Sequence, residues 1–487
     1  MSTKAIEGLK PELVWQRFYE ISQAPRPSKQ EIKVREYLRK FASERKLEFN
    51  EDEVGNIVIK VPATAGYEKA PVVVLQGHVD MVCEKNKNTT HDFENDPIKL
   101  LKEGEWITAE GTTLGADNGI GVAAALATAD DASFNHGPLE LLCTVDEETG
   151  LTGANNLQPG FIKGQMLLNL DAEEDGAYYV GCCGGQDSMG SFRIETEKRN
   201  TGFNAYKILL GGLKGGHSGI DINTGRANAI KLIARLLSRF DFDFRITDLS
   251  GGSKRNAIPR EAETILFINK ADEGKVKNII KEFTADYLKE YKKNDGGMEI
   301  DFVPADYKGD ETYSAAFTKK IINVLLSMPH GVIAMSPDIE GLVETSTNLA
   351  TVNTENGLLK IGTSQRSSIE SAKFFVTDSV KAVFELGGAV EIMIGDGYPG
   401  WQPDMDSNLL KISTEVFSKL YGKQPDVKAI HAGLECGILG GKYPGLQMIA
   451  FGPTIQGAHS PDEKVNIKDV AKFYELLKNI LTEIAKG

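Results

Sequence analysis

Histidine and acidic residues recur along the chain at points where predicted β-strands end. Imidazole and carboxylate groups are the nitrogen and oxygen ligands that zinc and similar divalent cations use in proteins. In open α/β sheets, ligands gather at the carboxyl ends of the strands. The candidate residues are His78 and Asp80, Asp117, the run Asp146-Glu147-Glu148, Asp171 and His459. Their number and type favour a site for two divalent cations and a hydrolase that uses them.

Each of these clusters also has an ordinary explanation. His78 and Asp80 share one face of an extended chain, but a His-x-Asp pair also occurs on surfaces and in cores. Asp117 lies between glycines before a predicted helix, where aspartate serves as a turn residue or N-cap. The run 146–148 is either a solvated acidic turn or a place where one carboxylate binds metal and its neighbour is a general base. Asp171 is followed by acidic residues at 173, 174 and 175, so spacing leaves the ligand among them open.

The glycine-rich segment 211–218 (GGLKGGHS) has the spacing of a phosphate-binding P-loop, but His217 stands where that motif needs lysine. It does not fit the G-x-S-x-G nucleophile turn either, because Ser218 is one position off. Two interpretations remain. The segment is a flexible loop that presents His217 as a hydrogen-bond donor to a developing oxyanion, or a tight turn with an incidental histidine. Cys182 and Cys183 do not form a C-x-x-C motif, and we interpret them as packing residues.

The elements that must position these residues alternate between helix and strand. The sequence predicts a helical stretch at 11–47, broken near residues 25–27, followed by elements that indicate an α/β sheet. Strands are expected at 56–60, 71–76, 139–145 and 166–170, and a buried helix at 121–130. The C-terminal part of the chain returns to the same alternation and ends in a helix at 467–484.

The pattern changes after the glycine-rich segment 181–185. Polar strands alternate there with amphipathic helices, which indicates an inserted α+β domain. Strands are expected at 205–210, 262–269 and 388–394, and helices at 226–238, 273–292 and 315–327. We therefore expect a discontinuous catalytic domain, residues 1–187 and 398–487, with a central mixed sheet flanked by helices. Residues 188–397 would form an inserted lid domain.

Length, charge and cysteine content restrict the class of protein. A chain of 487 residues is too long for one ordinary hydrophobic core, so two domains are expected. The net charge of −14 argues against nucleic acid or an anionic membrane as a partner. The N-terminal sequence has no signal-peptide pattern, and no segment reaches the roughly 18 consecutive apolar residues that span a bilayer. Five cysteines, an odd number, argue against a disulfide framework and favour the cytoplasm.

Nine segments together carry a family resemblance that runs in order over nearly the whole chain. They are QGHVDMV (76–82), GTTLGADNGIG (111–121), TVDEETGLTGA (144–154), LNLDAEEDG (168–176), GGLKGGHSG (211–219), RNAIPRE (255–261), YPGWQPD (398–404), HAGLECG (431–437) and GPTIQGAHSPDE (452–463). These segments resemble the cytosolic aminoacyl-histidine dipeptidases, which are bacterial carnosinase-like Xaa-His dipeptidases in the co-catalytic di-zinc exopeptidase superfamily. The last three are typical of the dipeptidase branch.

The resemblance implies a zinc-exopeptidase catalytic domain with two Zn²⁺ per chain, for which Mn²⁺ or Co²⁺ can substitute. His78 and Asp171 would bind one zinc ion. Glu148 and His459 would bind the other, and Asp117 would bridge the two ions. A cis peptide bond directly after Asp117 is also expected from the family.

Further roles follow from the same resemblance. Asp80 would support the metal site, and Glu147 would be the general base for a water molecule that bridges the two ions. His217 would stabilise the tetrahedral oxyanion, which requires a hinge that brings the lid toward the metals. The residues expected to contact the substrate are Asn256, Arg366 and Gly433 at its C-terminal end and Glu435 at its free α-amine.

The implied activity is that of a metallo-dipeptidase that hydrolyses Xaa-His dipeptides, including β-alanyl-histidine, and other unblocked dipeptides. Two other hypotheses stay open from the sequence. One is an N-acyl amino acid deacylase of the same superfamily, and the other is a non-catalytic metal- or peptide-binding protein, against which the presence of Glu147 argues. The long lid leaves open whether a homodimer forms and whether it matters for catalysis.

Overall fold

The computed structural model describes residues 3–487, which form two compact units. Unit 1 contains the described residues up to Gly181 together with Trp401–Ala429 and Leu434–Gly487, and unit 2 contains Cys182–Gly400 and Ile430–Gly433. The sequence-based boundaries at 187/188 and 397/398 lie a few residues from these divisions and stay predictions. Residues Ile430–Gly433, which the sequence assigned to the catalytic domain, belong to unit 2.

The N-terminal part of unit 1 alternates helices and strands. After a short 3-10 turn at Thr3–Ala5, its helices are α1 (Glu12–Ser22), α2 (Ile32–Glu44), α3 (Ala116–Thr128), α4 (Glu147–Gly150) and α5 (Thr152–Asn156). Its strands are β1 (Glu48–Glu51), β2 (Ile57–Val61), β3 (Val73–His78), β4 (Leu100–Glu103), β5 (Trp106–Ala109), β6 (Leu139–Thr144), β7 (Met166–Asn169) and β8 (Ala177–Cys182). Phe18 of α1 and Leu38 of α2 are fully buried, so both helices turn an apolar face inward.

Unit 2 consists of long strands and a few helices. Its strands are β9 (Gly184–Arg193), β10 (Thr196–Lys198), β11 (Phe203–Gly211), β12 (Gly216–His217), β13 (Phe244–Gly251), β14 (Ala257–Ile258), β15 (Ala262–Asn269), β16 (Glu299–Pro304), β17 (Glu311–Tyr313), β18 (Gly331–Met335), β19 (Val343–Glu355), β20 (Leu358–Ser367) and β21 (Glu391–Ile394). Its helices are α6 (Ala229–Leu237), a 3-10 turn at Lys270–Asp272, α7 (Glu273–Asp295), α8 (Ala315–Ser327) and α9 (Glu370–Leu386).

From Trp401 onward, the chain belongs to unit 1 except for Ile430–Gly433. The strands of this part are β22 (Asp426–Ile430), β23 (Gln447–Ala450), β24 (Ile455–Gln456) and β25 (Lys464–Asn466), and its helices are α10 (Asn408–Tyr421), α11 (Glu435–Lys442) and α12 (Ile467–Lys486). Within residues 3–487, no helix is both long enough and apolar enough to cross a membrane.

An eight-stranded mixed sheet forms the centre of unit 1, in the order β1-β2-β6-β3-β7-β23-β8-β22. The inner strands β6, β3, β7 and β23 run parallel to one another. Every residue of β3 and β6 is buried, as expected for parallel strands that are covered on both faces. The carboxyl ends of these parallel strands lie at one edge of the sheet. A smaller four-stranded sheet, β24-β25-β5-β4, completes this unit.

A nine-stranded antiparallel sheet dominates unit 2, in the order β16-β11-β15-β13-β19-β20-β9-β21, with β18 also paired to β19. Helices α6, α8 and α9 bury their apolar sides with this sheet in a core that includes Ile230, Ile321 and Val380. The long pair β19 and β20 places Ser346 opposite Arg366. The short pair β12 and β14 places His217 opposite Ala257. These two strand pairings fix the backbone positions of Arg366 and His217.

Candidate active site

His78 and Asp117 form the centre of an acidic cluster in unit 1. His78 is the last residue of β3 and is fully buried. Its Nε2 atom lies 3.1 Å from Oδ1 of Asp117 and 3.5 Å from Oδ1 of Asp171. Asp171 follows the end of β7 by two residues. Because β3 and β7 are parallel neighbours, their carboxyl ends bring these side chains together.

His459 lies on the other side of the Asp117 carboxylate. Its Nε2 atom is 3.2 Å from Oδ2 of Asp117 and 3.0 Å from Oε2 of Glu148. The two carboxylate oxygens of Asp117 therefore face two different imidazoles, each of which has a second carboxylate beside it. The Asp117–Asn118 peptide bond is cis. We call His78, Asp117, Glu148, Asp171 and His459 the metal cluster.

Asp80 supports the metal cluster beside His78. It is fully buried, and its Oδ1 atom lies 3.4 Å from Nδ1 of His78. Its carboxylate accepts hydrogen bonds from Oγ of Ser28 at 2.8 Å and from the backbone N–H groups of Glu147 at 3.0 Å and Glu148 at 3.2 Å. Burial alone would raise the pKa of Asp80, but His78 and these donors hold that pKa at about 2. Asp80 thus orients both an imidazole and the turn that carries two glutamates.

Glu147 and Glu148 are adjacent, but their surroundings differ. Glu148 contacts His459, whereas Glu147 forms no ion pair among residues 3–487. Burial raises the pKa of the Glu147 carboxyl well above its usual range, and the nearby carboxylates of Asp171 and Glu435 act in the same direction. A carboxylate with a raised pKa is a stronger base than an exposed glutamate, which suits it to proton transfer.

His217 in unit 2 is held in a defined tautomer. Its Nδ1 atom accepts hydrogen bonds from the backbone N–H groups of Gly219 at 3.2 Å and Ile220 at 3.1 Å. The proton of the neutral ring is therefore on Nε2. Burial lowers the pKa of His217, and the positive charge of Arg366 lowers it further. The side chain is thus a neutral hydrogen-bond donor through Nε2.

Arg366 on β20 is a buried guanidinium with weak partners. Its exposed fraction is 7%, and its Nη1 atom donates to Oη of Tyr398 at 3.1 Å and lies 3.8 Å from Sγ of Cys183. Its Nε atom is buried without a hydrogen-bond partner. Among the ion pairs of residues 3–487, none includes Arg366. A buried guanidinium that lacks a carboxylate partner is suited to bind an anionic group of a ligand.

Asn256 and Gly433 lie in the same unit. The Asn256 carbonyl oxygen accepts a hydrogen bond from the backbone N–H of Ser218 at 2.8 Å, which joins it to the segment that carries His217. A Cβ atom at Gly433 would lie 2.8 Å from the ring of Tyr398, so a side chain is excluded there. We call His217, Asn256, Arg366, Tyr398 and Gly433 the Arg366 site.

Comparison with known proteins identifies the family. The model of Peptidase family M20/M25/M40 matches residues 74–483. The chain belongs to this family. The cytosol non-specific dipeptidase of Escherichia coli (strain K12) is 42% identical over 484 residues, which cover 98% of this chain and 99% of that protein. The aminoacylhistidine dipeptidase from Vibrio alginolyticus has a crystal structure that matches with a TM-score of 0.92 and 42% identity, over 98% of this chain and 97% of that chain.

A more distant structure shares the fold. The aminopeptidase PepT from Bacillus cereus ATCC 10987 matches with a TM-score of 0.57 and 17% identity, over 98% of this chain and 99% of that chain. Membership of the peptidase family confirms the resemblance carried by the nine sequence segments, together with the predicted α/β fold class. The chain is a metallopeptidase, as predicted.

The metal cluster of this peptidase fits divalent cations. Its donors are imidazole nitrogens and carboxylate oxygens, which are ligands of zinc and related ions. Within residues 3–487, the carboxylates of Asp117, Glu148 and Asp171 form ion pairs only with histidines. Oε1 of Glu148 is buried without a hydrogen-bond partner. Converging buried carboxylates need compensating positive charge, and these donor groups are suited to cations that would supply it. Donor atoms of His78, Asp117 and Glu148 lie within 4.8 Å of one another.

Glu435 lies in unit 1, next to the inner strands of the sheet. It is the first residue of α11, and only 1% of it is exposed. Its Oε2 atom accepts hydrogen bonds from Nε2 of Gln76 at 2.6 Å and Oγ1 of Thr144 at 2.7 Å, while Oε1 is buried without a partner. Burial raises its pKa to about 7. The other residues expected to contact substrate, Asn256, Arg366 and Gly433, belong to unit 2.

Sequence patterns missed two residues that shape the metal cluster. The guanidinium of Arg26, which is 2% exposed, donates at 2.9 Å to the carbonyl oxygens of both Val79 and Asp80 and also binds the carbonyl of Gly115. Glu463 binds the backbone around Asp117 from the opposite end of the chain. Glu463 closes the last of the nine segments, so its position beside His459 was a usable signal. Arg26 lies outside the nine segments, so no sequence pattern marks it in this way.

Proposed function

We propose that this metallopeptidase is a dipeptidase that hydrolyses unblocked dipeptides, including Xaa-His dipeptides such as β-alanyl-histidine. The observation that carries the proposal is the Asp117 carboxylate, whose two oxygens face His78 and His459. The names of the two relatives at 42% identity, a non-specific dipeptidase and an aminoacylhistidine dipeptidase, support the substrate class.

Two Zn²⁺ ions per chain are proposed, with Mn²⁺ or Co²⁺ as substitutes. His78 and Asp171 would hold one ion, His459 and Glu148 the other, and Asp117 would contact both. When bound, such ions polarise the peptide carbonyl and make a water molecule easier to deprotonate. Asp80 keeps the imidazole of His78 in place through its contact with Nδ1.

Glu147 is the proposed general base. Its carboxylate takes a proton from the attacking water and later passes it to the leaving amine. The raised pKa supports this role, because it makes the carboxylate a stronger base than an exposed glutamate. Its backbone N–H is fixed by Asp80, which limits the positions of the side chain.

The Arg366 site supplies the proposed contacts to the oxyanion and to the C-terminal end of the substrate. His217 donates from Nε2 to the developing oxyanion, since its Nδ1 is already occupied by two N–H groups. Arg366 binds the free carboxylate with its planar fork, and Asn256 and the backbone of Gly433 bind the same end. Glu435 is the proposed partner of the α-amine, supported by its partnerless and buried Oε1 atom.

We also propose the cytoplasm as the compartment, because five cysteines, an odd number, do not suggest a disulfide framework, and the relative from Escherichia coli is named a cytosol dipeptidase. Dipeptides are the proposed partners of the site. Formation of a homodimer is a separate hypothesis, which gel filtration with light scattering would decide.

A substrate panel on metal-reconstituted protein tests the proposed function. The panel pairs β-alanyl-histidine and other Xaa-His dipeptides with dipeptides that lack histidine and with N-acetyl amino acids. We expect turnover of the free dipeptides and about two bound ions per chain in elemental analysis. A clear preference for the acetylated compounds would instead indicate a deacylase. Metal content far below two ions, with no hydrolysis after zinc or manganese is added, would indicate a binding protein.

A further inference from the structure

Glu463 accepts hydrogen bonds from four consecutive backbone N–H groups. Its Oε2 atom binds the N–H groups of Leu114 at 2.8 Å and Gly115 at 2.9 Å, and its Oε1 atom binds those of Ala116 at 2.7 Å and Asp117 at 3.3 Å. Glu463 is 2% exposed. These N–H groups belong to the turn that opens α3, where no side chain of the turn itself caps the helix. One carboxylate from the C-terminal part of the chain therefore fixes the backbone that presents Asp117.

The same loop that carries Glu463 also carries His459. The backbone N–H of Glu463 donates to the carbonyl of Ser460 at 3.1 Å, and that of Ser460 donates to the carbonyl of Gly457 at 3.2 Å. The loop is anchored beyond Glu463 by Oγ1 of Thr108, which donates to the Glu463 carbonyl at 2.8 Å. The Glu463 side chain thus joins the loop of His459 to the turn of Asp117.

The two ends of the metal cluster are supported differently. His78 and Asp171 follow the neighbouring parallel strands β3 and β7, and the side chain of His78 is 0% exposed. The side chain of His459 is 53% exposed and lies on a loop. Strands β3 and β7 hold His78 and Asp171 in place without help from Glu463. The contact between His459 and Asp117 has no such support, because His459 lies in a loop and Asp117 in the first turn of α3, and Glu463 joins the two.

We infer that Glu463 is a positioning residue that holds Asp117 and His459 in register and so controls binding of the metal ion on the His459 side. The inference rests on the proposed function, since it assumes that the metal cluster binds two ions. The role inferred for Glu463 involves no contact with the substrate or with a reacting atom. Its effect would reach the reaction only through the geometry of two ligands.

Glu463→Gln is the decisive substitution because it conserves size. The side-chain amide nitrogen would point its own hydrogens at two of the four backbone N–H groups, so two hydrogen bonds are replaced by contacts between donors. Asp462→Asn is the matched control, since it removes a negative charge from the neighbouring exposed position. His459→Gln provides the reference for a chain that has lost a ligand on one side only.

The measurement is the stepwise dissociation constants for zinc, obtained by competition with a chromogenic chelator. In Glu463→Gln we expect one ion to bind about 10- to 100-fold more weakly, as it does in His459→Gln, while the other ion changes little. Asp462→Asn should bind both ions as the wild type does. Two ions bound with wild-type affinity in Glu463→Gln, or equal weakening of both ions, would overturn the inference.

Thermal unfolding of the metal-free variants accompanies the titration. If Glu463→Gln does not fold, Glu463→Asp is used, which keeps the charge but shortens the reach. Glu463→Asp should weaken binding of the same ion by a smaller factor. Unchanged binding of both ions, or equal weakening of both, would again overturn the inference. Fewer than two ions on the wild-type chain would remove the proposed function, and the inference with it. Two ions on the wild type with an unaffected Glu463→Gln would remove the inference alone.

Discussion

The metal cluster and the Arg366 site carry opposite unbalanced charges. In unit 1, three carboxylates meet two imidazoles, and no lysine or arginine pairs with them among the described residues. In unit 2, a buried guanidinium has a phenol and a thiol as its hydrogen-bonding partners. Because buried charge is unfavourable without a counter-charge, each region is suited to bind a partner of opposite charge. Cations fit the first region, and a carboxylate-bearing ligand fits the second.

The two regions also differ in how their residues are positioned. Most members of the metal cluster follow the ends of adjacent parallel strands, so one sheet edge brings them together. The Arg366 site combines the short strand of His217, the long strand of Arg366 and the segment of Tyr398. Substitutions in the first region should therefore alter metal binding or proton transfer. Substitutions in the second should alter substrate selection and leave metal content unchanged.

The largest effect is expected for Glu147→Gln, which removes the proposed proton acceptor and keeps the size of the side chain. Turnover should fall by about 100- to 10,000-fold, because that is the range contributed by a positioned general base. Zinc content should stay at the wild-type level. The measurement is kcat for a dipeptide together with elemental analysis.

Glu148→Gln is the matched comparison for that variant, since it changes the neighbouring carboxylate in the same way. It should weaken binding of one ion, because Glu148 contacts His459. If both variants lost the same amount of metal, the division of roles between the two glutamates would be wrong.

A smaller effect is expected for Arg366→Met. The value of kcat/KM for a free dipeptide should fall by roughly 30- to 1,000-fold, as expected when one partner of a buried charge pair is removed. The wild type should strongly prefer a dipeptide with a free carboxylate to its C-terminal amide, and the variant should lose most of that preference. Zinc content should not change.

Arg239→Met serves as the control for Arg366→Met. Arg239 pairs with Asp286 at 3.0 Å elsewhere in unit 2, and its side chain is 36% exposed. It should behave as the wild type does. A variant of Arg366 that still discriminated between the acid and the amide would assign carboxylate binding to another residue.

The residues of the metal cluster are easier to find from sequence patterns than those of the Arg366 site, for a physical reason. Strand-end positions can be recognised locally, because buried strands have short apolar patterns that stop at polar residues. His78, Asp171 and the acidic run 146–148 all follow such patterns. Spacing alone could not choose between Asp171 and its acidic neighbours, whereas the structure places Oδ1 of Asp171 3.5 Å from His78.

No sequence pattern near Arg366 predicts the surroundings of its side chain. Its lack of an acidic partner depends on β9, β19 and the segment of Tyr398, which are distant in sequence. The strands β19 and β20 were not among the strands expected from the sequence. Glu463 shows the same limit, because its hydrogen bond to Leu114 spans 349 positions. Such contacts follow from tertiary packing and not from periodicity or spacing.

The smallest effect is expected for His330, a histidine of unit 2 that lies outside the metal cluster. In unit 2, burial lowers the pKa of His330 to about 4 from 6.5, and its Nδ1 atom accepts hydrogen bonds from Nδ2 of Asn228 and the backbone N–H of Leu349, both at 3.4 Å. The unfolded chain therefore binds a proton between pH 6.5 and about 4 that the folded chain does not bind. The free energy of unfolding should fall as the pH falls through this range.

In His330→Gln, whose amide oxygen can accept the same hydrogen bonds, we expect less loss of stability between pH values of about 7.5 and 5 in urea unfolding. An equal loss in both proteins would show that His330 binds a proton as readily in the folded state as in the unfolded state, which would remove this contrast with the carboxylate-flanked histidines of the metal cluster.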